Sequence, residues 1–220
     1  LAEAAGVASI VTGNAVNTVD ASGRSTTALI ITGGTGVDTL TGGDGIDTIT
    51  GNAGNDIITG GAGADIIVGS AGSDVIVFAA TAALNGTDVV TFVKADDKYD
   101  VSAIGTLTML DTAIPIAGTS DVNITNKVVN LNDTDNAALG DTAVELAALI
   151  NGNGDAMKLD AGGKAVIIQG YATDAGDTTN IWLVDDSLDG VSGTVATADV
   201  VKIASMATFQ STLTGDNFTF

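Results

Sequence analysis

The chain has 220 residues, of which 45% are hydrophobic, only 15% are charged and 29 are glycine. This composition argues against disorder and favours short strands and turns over long helices. The formal net charge of −20 attracts cations and argues against nucleic acid as a partner. Cysteine and histidine are both absent, which excludes disulfides, thiolate chemistry and the usual zinc ligand and neutral-pH base.

The chain gives no sign of a membrane span or a leader peptide. No stretch approaches the roughly 20 apolar residues that cross a bilayer, so we predict no transmembrane segment. Residues 1–10 lack the basic start and the cleavage pattern of a signal peptide. Because the chain does not begin with Met, we expect it to be a fragment of a longer protein.

The first 32 residues are β-like in composition but carry no repeat. Within them, Leu29 to Thr32 resembles the strand half of the repeats that follow, without its glycine loop. We therefore expect residues 1–32 to lead into a solenoid, with residues 29–32 in its first turn.

Residues 33–77 form five consecutive nine-residue repeats whose register never slips. In every repeat, positions one and four are Gly, position six is Asp and position eight is a large aliphatic residue. The repeats begin at Gly33, Gly42, Gly51, Gly60 and Gly69. The first six residues of a repeat predict a tight turn, because glycine reaches backbone conformations that other residues avoid, and the last three predict a short strand.

Two such repeats complete one 18-residue turn of a flattened parallel spiral, so loops 18 residues apart stack on the same side. The aliphatic residues at position eight then point inward and form the core. They are Leu40, Ile49, Ile58, Ile67 and Ile76.

Stacking brings the Asp carboxylates together, and a hard cation held by carboxylate and carbonyl oxygens would relieve their repulsion. Calcium suits this set better than magnesium because it accepts six to eight oxygens in irregular geometry. The expected ion-sharing pairs are Asp38 with Asp56, Asp56 with Asp74, and Asp47 with Asp65, which gives about three or more calcium ions. The alternative, a flexible linker or a metal-free repeat, does not explain an aliphatic residue at every ninth position.

The candidate calcium ligands are the residues at positions two, four and six of each repeat. They are Gly34, Gly36, Asp38, Gly43, Gly45, Asp47, Asn52, Gly54, Asp56, Gly61, Gly63, Asp65, Ser70, Gly72 and Asp74.

After Phe78 the glycine period stops, and residues 79–220 predict a β-rich capping and C-terminal region. Residues 88–101 alternate between apolar and polar side chains. A short helix is predicted over residues 142–150, and strands are predicted over residues 165–169, 180–184 and 199–203. The expected fold is thus mainly β: a calcium-bound parallel roll over residues 33–78, followed by this cap with at least one short helix.

The nonapeptide resembles the calcium-binding repeat of RTX exoproteins, whose fold is a parallel β-roll. Residues 86–102 resemble the segment that follows the roll in many of them, which reads Asp-x-Ile-x-Asp-Phe and then Asp-Lys-Ile-Asp-Leu-Ser. Here Thr91 stands where the second Asp of that pattern is usual, and Tyr99 replaces Ile.

Residues 161–168 and 180–186 resemble the C-terminal regions of RTX-bearing surface-layer proteins of Gram-negative bacteria. This resemblance implies an extracellular structural protein that leaves the cell through type I secretion machinery, with the apolar end at residues 217–220 as the signal. It also implies folding by external calcium and self-association in a surface lattice. A simple terminal strand is the alternative interpretation of residues 217–220.

Two other hypotheses remain open at this point: the RTX region of a large adhesin, and the noncatalytic roll of a secreted protease or lipase. We expect no enzyme activity in this chain, because it has neither a His-Glu-x-x-His nor a Gly-x-Ser-x-Gly motif. The acidic pairs Asp185-Asp186 and Asp133-x-Asp135 could pass for catalytic or calcium-binding carboxylates, but solvated turns are the favoured interpretation.

Overall fold

The structure is a computed structural model. It describes residues 8–91, 96–105, 108–110, 122–123, 125, 127–133, 147, 157–160, 163–171, 179–186, 195, 199–206 and 217–220. Within these ranges the chain is mainly β, with very little helix. No helix in the described ranges has the length and apolar character needed to cross a membrane.

The first ten strands alternate between two facing sheets. They are rich in Ile, Val, Leu and Thr, whose branched side chains pack well on a pleated surface. They are β1 Ala8–Val11, β2 Thr18–Asp20, β3 Leu29–Thr32, β4 Thr39–Thr41, β5 Thr48–Ala53, β6 Ile57–Thr59, β7 Ile66–Ala71, β8 Val75–Val77, β9 Asp88–Thr91 and β10 Lys98–Asp100.

These strands form a parallel β-solenoid of about four turns. The odd-numbered strands pair in sequence order in one sheet, and the even-numbered strands pair in sequence order in the other. Within the repeats the register step is one 18-residue turn, as in the pairing of Ile49 with Ile67 and of Leu40 with Ile58. The predicted parallel roll is therefore confirmed.

The core lies between the two sheets and is made of position-eight residues. The five predicted core residues are each at most 1% exposed, which confirms the inward direction of that position. Beyond the repeats, Val90 and Tyr99 continue the two rows and are fully buried. The neighbouring residue in each strand points outward, as Ile57 shows with 42% exposure.

The roll extends beyond the glycine repeats at both ends. Residues 29–32 form a strand as expected, but this strand is not in the first turn, because β1 pairs with it from the other side. At the far end, β9 stacks on β7 and β10 stacks on β8.

A short connection with a 3-10 helix, Ala82–Leu84, separates the last repeat from β9. The buried side chain of Asn85 holds this connection together. Its Oδ1 accepts a hydrogen bond from the Ala79 amide at 2.6 Å, and its Nδ2 donates to the carbonyl oxygens of Ala79 and Thr81.

The C-terminal strands extend both sheets of the roll. β11 Thr108–Leu110, β13 Lys127–Asp133, β15 Lys164–Tyr171, β16 Thr179–Asp185 and β17 Val200–Met206 continue the first sheet. β15, β16 and β17 are antiparallel neighbours, and β17 pairs in parallel with β9. β18 Phe218–Thr219 pairs with β10 in the second sheet, whereas β12 Val122–Asn123 and β14 Met157–Lys158 pair with each other.

The three strands predicted near residues 165–169, 180–184 and 199–203 are confirmed as β15, β16 and β17. The predicted helix over residues 142–150 lies outside the described residues, apart from the buried, helical Ala147. The interpretation of Asp185-Asp186 as a solvated turn is wrong. Asp185 is the last residue of β16 and Asp186 lies in the turn after it, but both are at most 2% exposed, and Asp185 Oδ2 lies 2.9 Å from Lys164 Nζ.

Candidate metal centre

The repeat loops lie along the two edges of the roll. The loops that contain Asp38, Asp56 and Asp74 connect the first sheet to the second, and those that contain Asp47 and Asp65 connect the second to the first. All five Asp residues are fully buried. The predicted pairs are therefore brought together as two stacked rows of carboxylates.

One oxygen of each Asp binds the main chain of the preceding turn. Oδ1 of Asp56 accepts a hydrogen bond from the Asp38 amide at 2.8 Å, and Oδ1 of Asp74 accepts one from the Asp56 amide at 2.9 Å. On the other edge, Asp65 Oδ1 accepts from the Asp47 amide at 2.8 Å. The Asp carboxylate of each turn thus accepts a hydrogen bond from a main-chain amide of the turn before it.

The hydrogen bonding of the second oxygen, Oδ2, differs between the first two repeats and the last three. In the first two repeats, Oδ2 of Asp38 accepts a hydrogen bond from the Gly34 amide at 3.0 Å, and Oδ2 of Asp47 accepts one from the Gly43 amide at 2.7 Å. In the last three repeats, the buried Oδ2 atoms of Asp56, Asp65 and Asp74 have no hydrogen-bond partner.

The backbone conformation at positions two and four also differs between these two groups of repeats. In the last three repeats, position two has a positive φ, and Asn52 and Ser70 adopt it without being glycine, at 77° and 83°. Position four of the same repeats, such as Gly54 at 134°, also lies in this region. The glycines at positions two and four of the first two repeats are not among the positive-φ residues.

Glycine at the repeat positions is also required by the close stacking of turns. A Cβ placed on Gly54 would overlap the carbonyl oxygen of Gly36, and one on Gly63 would overlap that of Gly45. A Cβ on Gly51 would overlap Asp56 Oδ2 and would also press on the carbonyl oxygen of Gly69. Asp56 Oδ2 and the Gly69 carbonyl oxygen of the following turn thus both lie close to the same point beside Gly51.

The predicted carbonyl ligands lie between stacked loops, and two of them already accept main-chain hydrogen bonds. The Gly34 carbonyl accepts from the Ala53 amide at 3.2 Å, and the Gly43 carbonyl accepts from the Ala62 amide at 3.0 Å. A carbonyl oxygen has two lone pairs, so these contacts leave it able to bind a cation. The Asn52 side chain donates to the Gly33 carbonyl at 2.6 Å.

Burial and mutual repulsion disfavour the charged form of these carboxylates. Burial, with the charge of Asp47, raises the pKa of Asp65 to about 6, and burial, with the charges of Asp97 and Asp56, raises the pKa of Asp74 to about 6. The pKa of Asp56 is raised in the same way, by burial and then by the charge of Asp38. At neutral pH these rows carry buried negative charge that a cation would neutralise.

Asp38 differs from the other members of its row. Burial raises its pKa, but hydrogen bonds from Gly34 and Asn17 outweigh this effect and leave the pKa below its ordinary value. Asn17 takes the place of Asp in the preceding turn, and its main-chain amide donates to Asp38 Oδ1 at 2.8 Å. On the other edge, the Leu29 amide donates to Asp47 Oδ1.

Two members of the rows, Asp88 and Asp97, were not among the ligands predicted from the sequence. Asp88 Oδ1 accepts a hydrogen bond from the Asp65 amide, and Asp97 Oδ1 accepts one from the Asp74 amide, both at 3.0 Å across 23 residues. Both Asp residues are 2% exposed, and burial raises the pKa of Asp88 to about 8. The sequence feature that could have identified them is their nine-residue separation, which continues the period of the repeats after a five-residue insertion.

The donor set fits a hard divalent cation. It offers buried carboxylate oxygens without hydrogen bonds, next to main-chain carbonyls, and it contains neither sulfur nor imidazole. In the described ranges no three acidic side chains come together, so an ion here would take carbonyl oxygens as well as the stacked Asp pair.

Comparison with known proteins supports this chemistry for the repeats. The family model for the RTX calcium-binding nonapeptide repeat matches residues 32–67 and 41–76. No curated protein matches the chain. A solution structure of the AlgE6R3 subunit from the Azotobacter vinelandii mannuronan C5-epimerase has 19% sequence identity and a TM-score of 0.44, covering 100% of this chain and 86% of that chain. Residues 32–76, with their stacked loops and paired carboxylates, are thus RTX calcium-binding nonapeptide repeats.

Proposed function

We propose that the chain is a calcium-dependent structural module of a secreted cell-surface protein, namely a surface-layer protein. Calcium drives its folding outside the cell after type I secretion and supports assembly in a lattice. In this proposal residues 1–32 lead into the roll, residues 33–78 bind calcium and residues 79–220 cap the roll and carry the secretion signal.

One observation supports the calcium-dependent part of the proposal: Asp56, Asp65 and Asp74 each bury a carboxylate oxygen that has no hydrogen-bond partner. Leaving a buried anionic oxygen unpaired destabilises a fold by several kcal/mol, in the range of about 3–5 kcal/mol for a broken ion pair. Three such atoms in one small roll favour a role in binding a counter-ion.

The residues of the roll make calcium a folding switch. Where calcium is scarce, the stacked carboxylates repel one another and oppose folding, and the net charge of −20 adds to this repulsion. When calcium is abundant, the paired oxygens bind it only in the stacked state, so binding energy is added to folding energy. The repeats then supply carboxylates and carbonyls, and calcium supplies the positive charge.

Chelation tests the folding step. We expect excess EDTA at neutral pH to unfold residues 33–78, which is measured as a loss of β-strand circular dichroism from the full chain, and added calcium to restore the signal. Magnesium at the same concentration serves as the control and should restore little signal, because it prefers a strict octahedron and retains its water. A spectrum that EDTA leaves unchanged would rule out calcium-dependent folding.

Assembly is followed on the same samples by electron microscopy. We expect two-dimensional sheets after calcium is added and none in EDTA. A chain that folds with calcium but stays monomeric at high concentration contradicts the surface-layer role while leaving the folding switch intact.

A further inference from the structure

The loop over residues 83–88 stacks on the loop of the fourth repeat although it lacks the glycines of positions one and two. Gly86 occupies position four, with a φ of 68°, and a Cβ on it would overlap the carbonyl oxygen of Gly63. Asp88 occupies position six, directly above Asp65. Position eight is the fully buried Val90. Residues 83–91 are therefore a degenerate sixth repeat.

Two hydrogen bonds join the sixth repeat to the fourth in the same way that true repeats are joined. The Asp65 amide donates to Asp88 Oδ1 at 3.0 Å, and the Val89 amide donates to the Asp65 carbonyl at 2.7 Å. The equivalent pair between the third and fifth repeats links Asp56 to Asp74 and Val75 at 2.9 and 2.8 Å. The sixth repeat therefore has the same stacking geometry as the true repeats.

Side-chain hydrogen bonds tie the loop to residues outside the glycine repeats. The Asn85 side chain bonds Ala79 and Thr81, as described above. Thr87 Oγ1 donates to the Lys202 carbonyl in β17 at 3.0 Å.

The fourth repeat contains a buried carboxylate oxygen that makes no hydrogen bond. Asp65 is fully buried, and its Oδ2 has no hydrogen-bond partner. This Oδ2 lies beside Gly60, the first residue of its own repeat, as that of Asp56 lies beside Gly51. The loop over residues 83–88 is the turn that stacks on the fourth repeat, so Asp65 and Asp88 are successive members of one row of stacked carboxylates.

We propose that Asp65 and Asp88 hold a further calcium ion between the fourth repeat and residues 83–88, outside the segment that the repeat pattern covers. This inference rests on the proposed function and extends it, because it places calcium at the junction between the repeats and the C-terminal region.

The test compares Asp88→Asn with Asp20→Asn in the full chain. The first substitution keeps a side-chain oxygen that can accept from the Asp65 amide but removes the anionic ligand. Asp20 is exposed and precedes the glycine repeats, so its replacement removes the same charge without removing a stacked carboxylate or changing a repeat loop. Equilibrium dialysis should find one calcium ion fewer per chain in Asp88→Asn and an unchanged number in Asp20→Asn.

The outcomes separate the two proposals. If the unmodified chain binds no calcium, the proposed function itself fails. If it binds calcium and Asp88→Asn binds the same number of ions, the additional site is refuted and the proposed function stands. If Asp88→Asn does not fold, the site is tested in the unmodified chain by calcium anomalous scattering from its crystals. A peak between Asp65 and Asp88 supports the site, and its absence overturns it.

Discussion

At the scale of single residues, the two oxygens of each repeat Asp have different roles. Oδ1 binds the main chain of the previous turn, as between Asp65 and Asp47, and Oδ2 of the last three repeats remains open for a ligand. The sequence predicts that these Asp residues stack, because their spacing is strict. It does not predict which Oδ2 atoms are open, since that depends on whether the position-two amide reaches the carboxylate, as Gly34 does for Asp38.

Calcium-free protein should regain structure when it is acidified. Burial raises the pKa of Asp65 and Asp74 to about 6 and that of Asp88 to about 8, against 3.8 for an unperturbed Asp. Between about pH 4 and about pH 8 the folded state therefore binds more protons than the unfolded state, and the free energy of unfolding rises as the pH falls. Circular dichroism of metal-free protein should show more β-structure near about pH 5 than near about pH 7.5.

A matched pair of variants identifies the groups responsible. Asp74→Asn removes one of the titrating carboxyls and should weaken the response to pH. Asp20→Asn removes an exposed carboxyl whose pKa is held below its ordinary value by hydrogen bonds from Ser22, and it should leave the response above about pH 5 unchanged. A β-strand signal that is equal or smaller at the lower pH contradicts the prediction.

At the scale of single strands, each repeat contributes one short strand with an inward aliphatic residue. This alternation is visible in the sequence, and all five inward residues are buried as predicted. The strands beyond the repeats are harder to predict because the insertion before β9 lengthens the stacking distance from 18 to 23 residues. The period returns in Gly86, Asp88, Val90 and Asp97, without the glycines of positions one and two, and these residues are too few to reveal it without the structure.

Neighbouring residues of β6 provide a direct test of this alternation. Ile58 is fully buried and Ile57 is 42% exposed. In calcium, Ile58→Ala should lower the free energy of unfolding by about 2–5 kcal/mol, because it leaves a cavity between the sheets. Ile57→Ala should lower it by less than about 1 kcal/mol. Urea denaturation measures both, and equal losses would contradict the assigned faces.

At the scale of the whole molecule, the two sheets are continued by residues far along the chain. β17 extends the first sheet beyond β9, and β18 extends the second beyond β10. The Phe218 ring lies 5.9 Å from that of Tyr99, which in turn stacks on Phe78 at 5.5 Å. A two-residue strand whose partner lies so far away in the chain carries no periodic signal, so its pairing could not be predicted from the sequence.

The contribution of this last strand can be measured with two similar side chains. Phe218 is 5% exposed and packs between the rings of Tyr99 and Phe220, whereas Phe220 is 45% exposed and ends the row. Phe218→Ala should lower the free energy of unfolding in calcium by about 3–5 kcal/mol, and Phe220→Ala should lower it far less. Thermal unfolding followed by circular dichroism distinguishes them. Identical melting temperatures would show that β18 does not stabilise the roll.

The stacking of 18-residue turns also determines how the roll responds to tension. Each turn is held by its neighbours through strand pairing and Asp hydrogen bonds such as that between Asp38 and Asp56. A chain pulled from one end must therefore detach turn by turn, and each turn releases roughly 60 Å of extended backbone. Calcium bound between turns would strengthen every step, so the same ion that permits folding would set the force at which the molecule yields.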